Sequence, residues 1–92
     1  MELVLRNLME DIVIHRLGEL LPKLDCCQCN QCRLDIASYA LNRLPAKYVV
    51  TTQGELLSKL DTFSTQFEAS VTTQITQASI QIKNSPRHKN ID

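Results

Sequence analysis

The chain has 92 residues, enough for one domain and no more. Hydrophobic residues make up 43% of it, which is too many for a disordered chain, and ten Lys and Arg residues balance ten Asp and Glu residues. Because a non-specific nucleic-acid binder normally carries a strong basic excess, the formal net charge of zero argues against that class of protein. A domain of this size has a marginal core, so we expect a metal, a disulfide or a partner subunit to stabilise it.

The sequence predicts a cytoplasmic protein that is not inserted in a membrane. It contains no run of 18 apolar residues, and its N-terminus lacks the layout of a signal peptide. Cytoplasmic thiols stay reduced, so clustered cysteines suggest metal or redox chemistry. The sequence has no Ser-His-Asp arrangement, no phosphate-binding glycine loop and no HExxH motif, and we therefore expect a protein that is not an enzyme.

The first predicted element is a helix over about residues 2–24, where apolar residues recur in steps of three and four. Gly18 and Pro22 weaken its last turns, so we expect the helix to end near Leu20 or Leu21. Its apolar stripe is wide, and a helix of this kind has to be buried on more than one side.

A second helix is predicted over residues 31–44, with Asn30 as its N-cap and Pro45 as its stop. Residues 45–50 follow as an extended or turn-like segment. The expected buried face of the helix is apolar and comprises Leu34, Ala37, Leu41 and Leu44, with Ile36 and Ala40 alongside.

Thr52 and Glu55 have the spacing of a capping box and open a long third helix whose apolar positions reach Ile82. Many residues between 70 and 82 are β-branched, so residues 80–82 could instead form a short strand. Some 30 helical residues would be roughly 45 Å long, whereas a compact globule of this size is roughly 30–35 Å across. The helix therefore either breaks near its Thr-rich stretch or is covered by a second chain.

These elements define an all-α fold with three main helices and a cysteine-rich loop between the first two. Residues 1–85 are expected to form a single helical domain, and residues 86–92, which begin with Pro86, a C-terminal tail. The apolar first helix and the overhanging third helix together favour an intertwined homodimer.

Four cysteines lie within seven residues in the predicted loop: Cys26, Cys27, Cys29 and Cys32. The last two have the spacing of a metal knuckle, in which two thiolates converge on one ion, and Cys27 is a possible third ligand. The neighbouring helix N-terminus favours thiolates. We therefore predict a structural zinc ion, whose fourth ligand is left open between Cys26, His15, His88 and a second subunit.

Three other states of the cysteines fit the sequence less well. A reversible Cys29–Cys32 disulfide would lack the flanking βαβ pattern of a thioredoxin-like enzyme. The ligands of an iron–sulfur cluster are usually spaced more widely. Thiols that hold no metal would leave the small core without the folding free energy that zinc supplies.

The sequence around the second helix resembles a known family. The stretch from Asp35 to Val50 reads DIASYALNRLPAKYVV, with the clustered cysteines before it and TTQGEL after it. This stretch is similar to the ComFB family, the late competence development proteins of bacteria, and the resemblance spans nearly the whole chain.

The resemblance implies a small, helical, dimeric protein that binds zinc through its cysteines. Three cysteines match the family's CxCxxC pattern, namely Cys27, Cys29 and Cys32. One family pattern takes a further cysteine from near the C-terminus, where this sequence has Ile82. That departure favours Cys26 or His88 as the fourth ligand.

The resemblance also implies a ligand, because cyanobacterial members without the cysteines are receptors for cyclic di-GMP linked to competence and type IV pilus behaviour. They share the ALNRLPAxY core, and their ligand needs arginine for phosphates and guanine edges and flat groups for stacking. The candidate binding residues surround the second helix and its exit: Arg33, Asp35, Tyr39, Asn42, Arg43, Pro45, Lys47 and Tyr48. In a purely structural interpretation, Asn42 caps the helix, Tyr48 packs on the core and the charges are solvated.

Two functions therefore compete. The first is a homodimeric cyclic di-GMP receptor with a structural zinc site that relays its signal to an unknown protein partner. The alternative is a zinc-stabilised dimeric adaptor that works through protein contacts and has no small-molecule ligand.

Overall fold

The structure is a computed structural model that describes residues 2–84. Its strands and helices follow the order β1 (Leu3–Asn7), α1 (Leu8–Leu20), α2 (Asn30–Asn42), β2 (Tyr48–Thr52), α3 (Gln53–Gln66) and α4 (Glu68–Asn84). A 3₁₀ turn, Leu21–Lys23, leads from α1 into the cysteine-rich loop. The mostly helical class and the place of this loop are confirmed, whereas the small two-stranded sheet is absent from the predicted fold.

The predicted first helix is wrong at its start, because Leu3–Asn7 form β1 and α1 begins only at Leu8. Asn7 separates the two elements. Its side-chain Oδ1 accepts hydrogen bonds from the N–H groups of Met9 at 3.2 Å and Lys47 at 2.8 Å. The first bond caps α1 by satisfying a donor that a helix start leaves without a partner.

The two strands pair antiparallel, with Leu5 opposite Val50 and Asn7 opposite Tyr48. Side chains alternate across a strand, so the sheet has one inner and one outer face. Thr51 on the inner face is buried. The outer face, called here the sheet face, carries four large side chains that are 64–68% exposed: Leu3, Leu5, Tyr48 and Val50.

Helix α1 forms the centre of the core, because α2, α3 and α4 all contact it. Its side chains of Leu8, Val13 and Leu17 are at most 1% exposed. The prediction that the first helix is buried on more than one side is thus confirmed for α1.

The predicted buried face of the second helix is wrong at Leu34, whose side chain is 59% exposed. The predicted core positions Ile36, Ala37 and Ala40 are confirmed, since they are at most 4% exposed. Cys32, at 1%, extends this face to the start of α2. Small buried residues on α2 and α4, among them Ala40 and Ala78, allow these two helices to lie close together.

The capping box predicted at the start of the third helix is confirmed. The Thr52 hydroxyl accepts from the N–H of Glu55 at 3.3 Å, and the Glu55 carboxylate accepts from the N–H of Thr52 at 3.5 Å. The helix that follows is divided at Phe67, where the backbone leaves helical geometry with φ −105° and ψ 12°.

The division of the third helix is one of the two outcomes that the sequence leaves open. Residues 80–82 lie within α4, so the alternative strand there is wrong. The described chain is elongated, with principal extents of 48 × 24 × 21 Å. Because α3 and α4 are separate helices, the length of a single third helix no longer argues for a homodimer. The homodimer stays a proposal.

Helix α4 ends at Asn84, and Pro86, His88 and the predicted tail of residues 86–92 lie outside the described residues. Within residues 2–84, the helices are too short or too polar to span a membrane.

Candidate metal centre

Three of the four cysteines converge at the N-terminus of α2. The Sγ atoms of Cys27, Cys29 and Cys32 all lie within 4.8 Å of one another. Two sulfurs bound to one tetrahedral zinc ion, each at about 2.3 Å, lie about 3.8 Å apart and at most about 4.6 Å apart. A small closing movement of the loop would therefore bring the three thiolates onto one ion, and the donor set fits zinc.

The start of α2 positions these thiols. Cys29 is the N-cap residue, and its Sγ accepts from the N–H of Cys32 at 3.4 Å. Its carbonyl oxygen accepts from the N–H of Arg33 at 2.9 Å. The prediction of Asn30 as N-cap is wrong by one residue, because the sulfur of Cys29 fills the acceptor role of a capping side chain.

Hydrogen bonds and an ion pair connect the cysteine loop to two neighbouring parts of the fold. The Gln28 side-chain amide donates to the carbonyl oxygens of Leu21 at 2.8 Å and Cys26 at 3.3 Å. The Lys83 ammonium group near the end of α4 donates to the carboxylate of Asp25 at 2.6 Å. These contacts hold the cysteine loop against the 3₁₀ turn and the last turn of α4.

Without a metal ion, the surroundings of Cys32 favour its protonated thiol. Burial of Cys32, followed by hydrogen bonds with the thiols of Cys29 and Cys27, raises its pKa to about 12. Cys32 is 1% exposed, whereas Cys27 is open to solvent. A divalent cation would stabilise three neighbouring thiolates that otherwise repel one another.

The other predicted ligands are not part of this group. Cys26 is partly buried against the hydrophobic core, and burial followed by the nearby Cys27 and Asp25 raises its pKa. His15 projects from α1, with its Nε2 atom 3.7 Å from the Glu19 carboxylate. Within residues 2–84 no fourth cysteine, histidine or carboxylate joins the three thiols.

Two further positions, Ile82 and His88, bear on the identity of the fourth ligand. Ile82, where one family pattern has a cysteine, lies partly buried against the core on α4. His88 lies outside the described residues.

The predicted cyclic di-GMP residues are distributed over several surfaces. Arg33 and Asp35 lie in the first half of α2, and Asp35 is buried and accepts from the Gln31 amide at 3.1 Å. Arg43 follows Arg33 by ten residues, which separates the two by roughly 15 Å along the helix axis. The two arginines therefore lie at opposite ends of α2.

At the C-terminal end of α2, the guanidinium carbon of Arg43 lies 3.5 Å from the centre of the Tyr39 ring. Asn42 is the exposed last residue of the helix. The Lys47 ammonium nitrogen lies 4.9 Å from the centre of the Phe63 ring, and Tyr48 belongs to the sheet face. The two predicted stacking tyrosines therefore have different surroundings.

Arg43 and Pro45 line a cavity of about 360 Å³ between the end of α2 and α4, together with Ser70, Thr73 and Gln74. The side-chain Oε1 of Gln74 is buried and has no hydrogen-bond partner among the described residues. Sequence reasoning missed the three residues of α4. These polar residues are three and four positions apart in the sequence. Any solvated helix face shows the same spacing, so the sequence did not mark them as a site.

The fold and the thiol cluster define a small helical protein with a candidate metal centre at a helix N-terminus. The family model for the late competence development protein ComFB matches residues 6–86, and the chain belongs to the ComFB family. The fold is similar to that of the late competence protein ComFB from Bacillus subtilis, with a TM-score of 0.77 and 20% sequence identity, over 90% of this chain and 94% of that chain. A search of curated proteins finds no match to the sequence.

Proposed function

We propose that this protein is a non-enzymatic regulatory protein of the bacterial cytoplasm that is stabilised by a structural zinc ion and acts by binding partners. The observation that supports the proposal is the convergence of the Sγ atoms of Cys27, Cys29 and Cys32 within 4.8 Å. Soft thiolate ligands favour zinc over the hard cations magnesium and calcium. Cross-linking of the loop by zinc supplies folding free energy to a small core.

A structural zinc site is closed by four ligands, so this proposal requires one more than the described group provides. Cys26 packs partly on the core and His15 lies beside Glu19 on α1, and neither joins the three thiols within residues 2–84, so we favour His88 or a residue of a second copy. In this arrangement the zinc ion holds the loop and the start of α2 in place.

Metal analysis of the purified, reduced protein tests the zinc centre. We expect one zinc ion per chain in the wild type and a clear loss in Cys29→Ser and in Cys32→Ser. Cys26→Ser is the matched control, since it changes the same chemical group in the same loop outside the converging three. Full zinc retention in both ligand variants would contradict the proposal.

We propose further that the protein is a homodimer assembled through the sheet face. Contiguous apolar side chains at 64–68% exposure are typical of an interaction surface. A second copy related by a two-fold axis would cover the same four side chains on both subunits.

Light scattering tests this dimer. We expect Leu5→Lys to halve the molar mass and to leave the helical circular dichroism unchanged. The control is Leu34→Lys, which places the same charge at an exposed leucine of α2 away from the sheet face. Equal masses for wild type and Leu5→Lys would argue for a different interface or for a monomer.

A second candidate function, reception of cyclic di-GMP in competence or type IV pilus behaviour, is supported by the cavity beside Arg43. Arg43 can pair with a phosphate or a guanine edge. A volume of about 360 Å³ lies at the lower end of small-molecule pockets. It suits part of the dinucleotide, and the remainder would lie along the surface or on a second copy.

Titration calorimetry with cyclic di-GMP, with cyclic di-AMP as the control ligand, distinguishes the two functions. For a receptor we expect selective micromolar binding that is lost in Arg43→Ala and kept in Arg33→Ala, at the far end of α2. Absence of heat and of a thermal shift in the zinc-loaded dimer would favour the adaptor that has no small-molecule ligand.

A further inference from the structure

The three converging thiols differ in how far solvent reaches them. Cys32 is buried at 1% exposure, whereas Cys27 and Cys29 are accessible from solvent. A small oxidant can therefore reach two of the sulfurs directly, and the third lies on the side of the core. The zinc centre proposed above uses these sulfurs as ligands, and clustered thiolates are also the sulfurs that an oxidant attacks most readily.

Cys29 and Cys32 are the pair best placed to form a disulfide. Cys29 is the N-cap residue of α2 and Cys32 is the third residue of the helix, which are the two positions whose side chains meet in a capping box. The Sγ of Cys29 accepts from the N–H of Cys32 at 3.4 Å, and the two thiols share a hydrogen bond. Because the sulfurs lie within 4.8 Å, they need to approach by at most about 3 Å to bond.

The backbone at Cys29 allows this approach without unwinding α2. Its φ of −71° and ψ of 163° are those of an extended residue outside the helix, so Cys29 can move with the loop. Cys32 is held on the core side by the first turn of α2. A Cys-x-x-Cys pair is the arrangement that cycles between dithiol and disulfide in redox proteins. Here the same pair would control a metal site.

We propose that a peroxide oxidises Cys29 and Cys32 to a disulfide and that this oxidation releases the zinc ion. This regulation rests on the proposed zinc centre, in which both sulfurs are thiolates. The Cys29 thiolate attacks a peroxide oxygen and breaks the O–O bond, which gives a sulfenic acid and hydroxide. The Cys32 thiolate then attacks the sulfenic sulfur and expels a second hydroxide. The two thiolates lose two electrons, and the peroxide gains them.

The disulfide removes two of the three converging ligands. The thiolate is the form of cysteine that binds a metal, so Cys27 remains as the one cysteine ligand of the three. Zinc connects Cys27 in the loop to the start of α2, whereas the disulfide connects only residues at the start of α2. Oxidation should therefore loosen residues 25–28, which keep the hydrogen bonds of Asp25 and Gln28 but lose the connection through the metal.

The test is stepwise addition of hydrogen peroxide to the zinc-loaded, full-length protein after the reductant has been removed. A chromogenic chelator measures zinc release, and alkylation before and after reduction labels the thiols and the disulfide differently. All four cysteines lie in the tryptic peptide of residues 24–33, so tandem mass spectrometry assigns both labels within one peptide. We expect one peroxide per chain to release the zinc, with the first label on Cys26 and Cys27 and the second on Cys29 and Cys32.

Three variants separate the pair from the other thiols. Cys26→Ser is the matched control, since Cys26 lies outside the converging three, and it should behave as the wild type does. Cys27→Ser keeps the pair, so it should form the same disulfide even where it has lost its zinc. In Cys32→Ser the Cys29 sulfenic acid has no partner thiol at its side, and dimedone should trap it. A dithiol reductant followed by zinc should restore one zinc ion per chain in the oxidised wild type.

The zinc content before oxidation separates two kinds of failure. A reduced wild type without zinc contradicts the metal centre itself and, with it, the proposed release. A zinc-loaded wild type that keeps its ion and its thiols in excess peroxide overturns the redox switch and leaves the zinc centre standing. So does a disulfide that forms through Cys26, through Cys27 or between two chains.

Discussion

Replacing Cys29 by serine is expected to abolish the dependence of thermal stability on zinc. A ligand that binds only the folded state stabilises it by about 2.7 kcal/mol when its free concentration is 100 times its dissociation constant. In a domain of this length each kcal/mol changes the melting temperature by about 4–8 °C. The wild type should therefore melt roughly 10–20 °C higher with zinc than with a chelator, and Cys29→Ser should melt at the lower temperature in both.

The structure explains why Cys29→Ser tests zinc binding and does not change the stability of α2. Cys29 caps α2 through a sulfur that accepts from the N–H of Cys32 at 3.4 Å. Serine is a preferred N-cap residue, so its oxygen keeps the start of α2 intact. The change therefore removes a metal ligand at little cost to the stability of the metal-free protein.

Cys26→Ser provides the comparison that makes the measurement decisive. The Cys26 side chain packs against the core and lies outside the converging thiols. This variant is expected to lose some stability in both conditions and to keep the difference between them.

Circular dichroism melts in buffered zinc or chelator, with a reductant present to prevent disulfides, measure both variants. An equal melting temperature for wild type with and without zinc would refute the reasoning. So would a zinc dependence that survives in Cys29→Ser.

Two further predictions concern the fold. Thr52→Ala is expected to cost about 1 kcal/mol in urea unfolding, since it removes the cap of α3. Hydrogen bonds from Thr52 also hold the pKa of Glu55 below its usual 4.5, so the stabilisation by ionised Glu55 is present above that pH and lost as the pH falls below it. The stability of the variant should therefore depend less on acid pH than that of the wild type. Ile75→Ala is expected to cost about 2–5 kcal/mol, because Ile75 is fully buried. Ile80→Ala, at a side chain that is 55% exposed on the same helix, should cost less than about 0.5 kcal/mol, and equal costs would contradict the described core.

The sequence predicted those elements whose signals are local. Pro45 predicts the end of α2 to within two residues, because the helix ends at Asn42 and the prediction ran to residue 44. Thr52 with Glu55 forms the capping box that begins α3. The apolar period over Leu8–Leu20 likewise indicates α1. Each of these signals depends on residues within one or two turns of the chain.

Strand β1 was not predicted, because its apolar residues happen to continue the helical spacing of α1. Its conformation depends on pairing with β2, more than 40 residues later, and strand preference depends strongly on such distant partners. Asn7 followed three residues later by Glu10 has the spacing of a capping box and is a local signal for the start of α1. Its second hydrogen bond, from Lys47, follows only from the fold.

The candidate sites also differ in whether local sequence signals or distant contacts determine them. Three thiols within six residues around a helix start converge through local geometry, so the cysteine pattern alone predicted them. The cavity beside Arg43 required α2 to pack on α4, and the sequence does not indicate that Gln74 would lie there.

Helix α4 connects the two proposed binding events and permits a final prediction. Lys83 near its end bonds to Asp25 beside the cysteine loop, and Gln74 two to three turns earlier lines the cavity of Arg43. We expect zinc to tighten cyclic di-GMP binding, because a fixed loop holds the end of α4. The effect must be reciprocal, with cyclic di-GMP raising the zinc affinity by the same factor. Calorimetry in both directions measures that factor in the wild type and in Lys83→Gln, where it should decrease; identical affinities with and without zinc would show that α4 does not couple the sites.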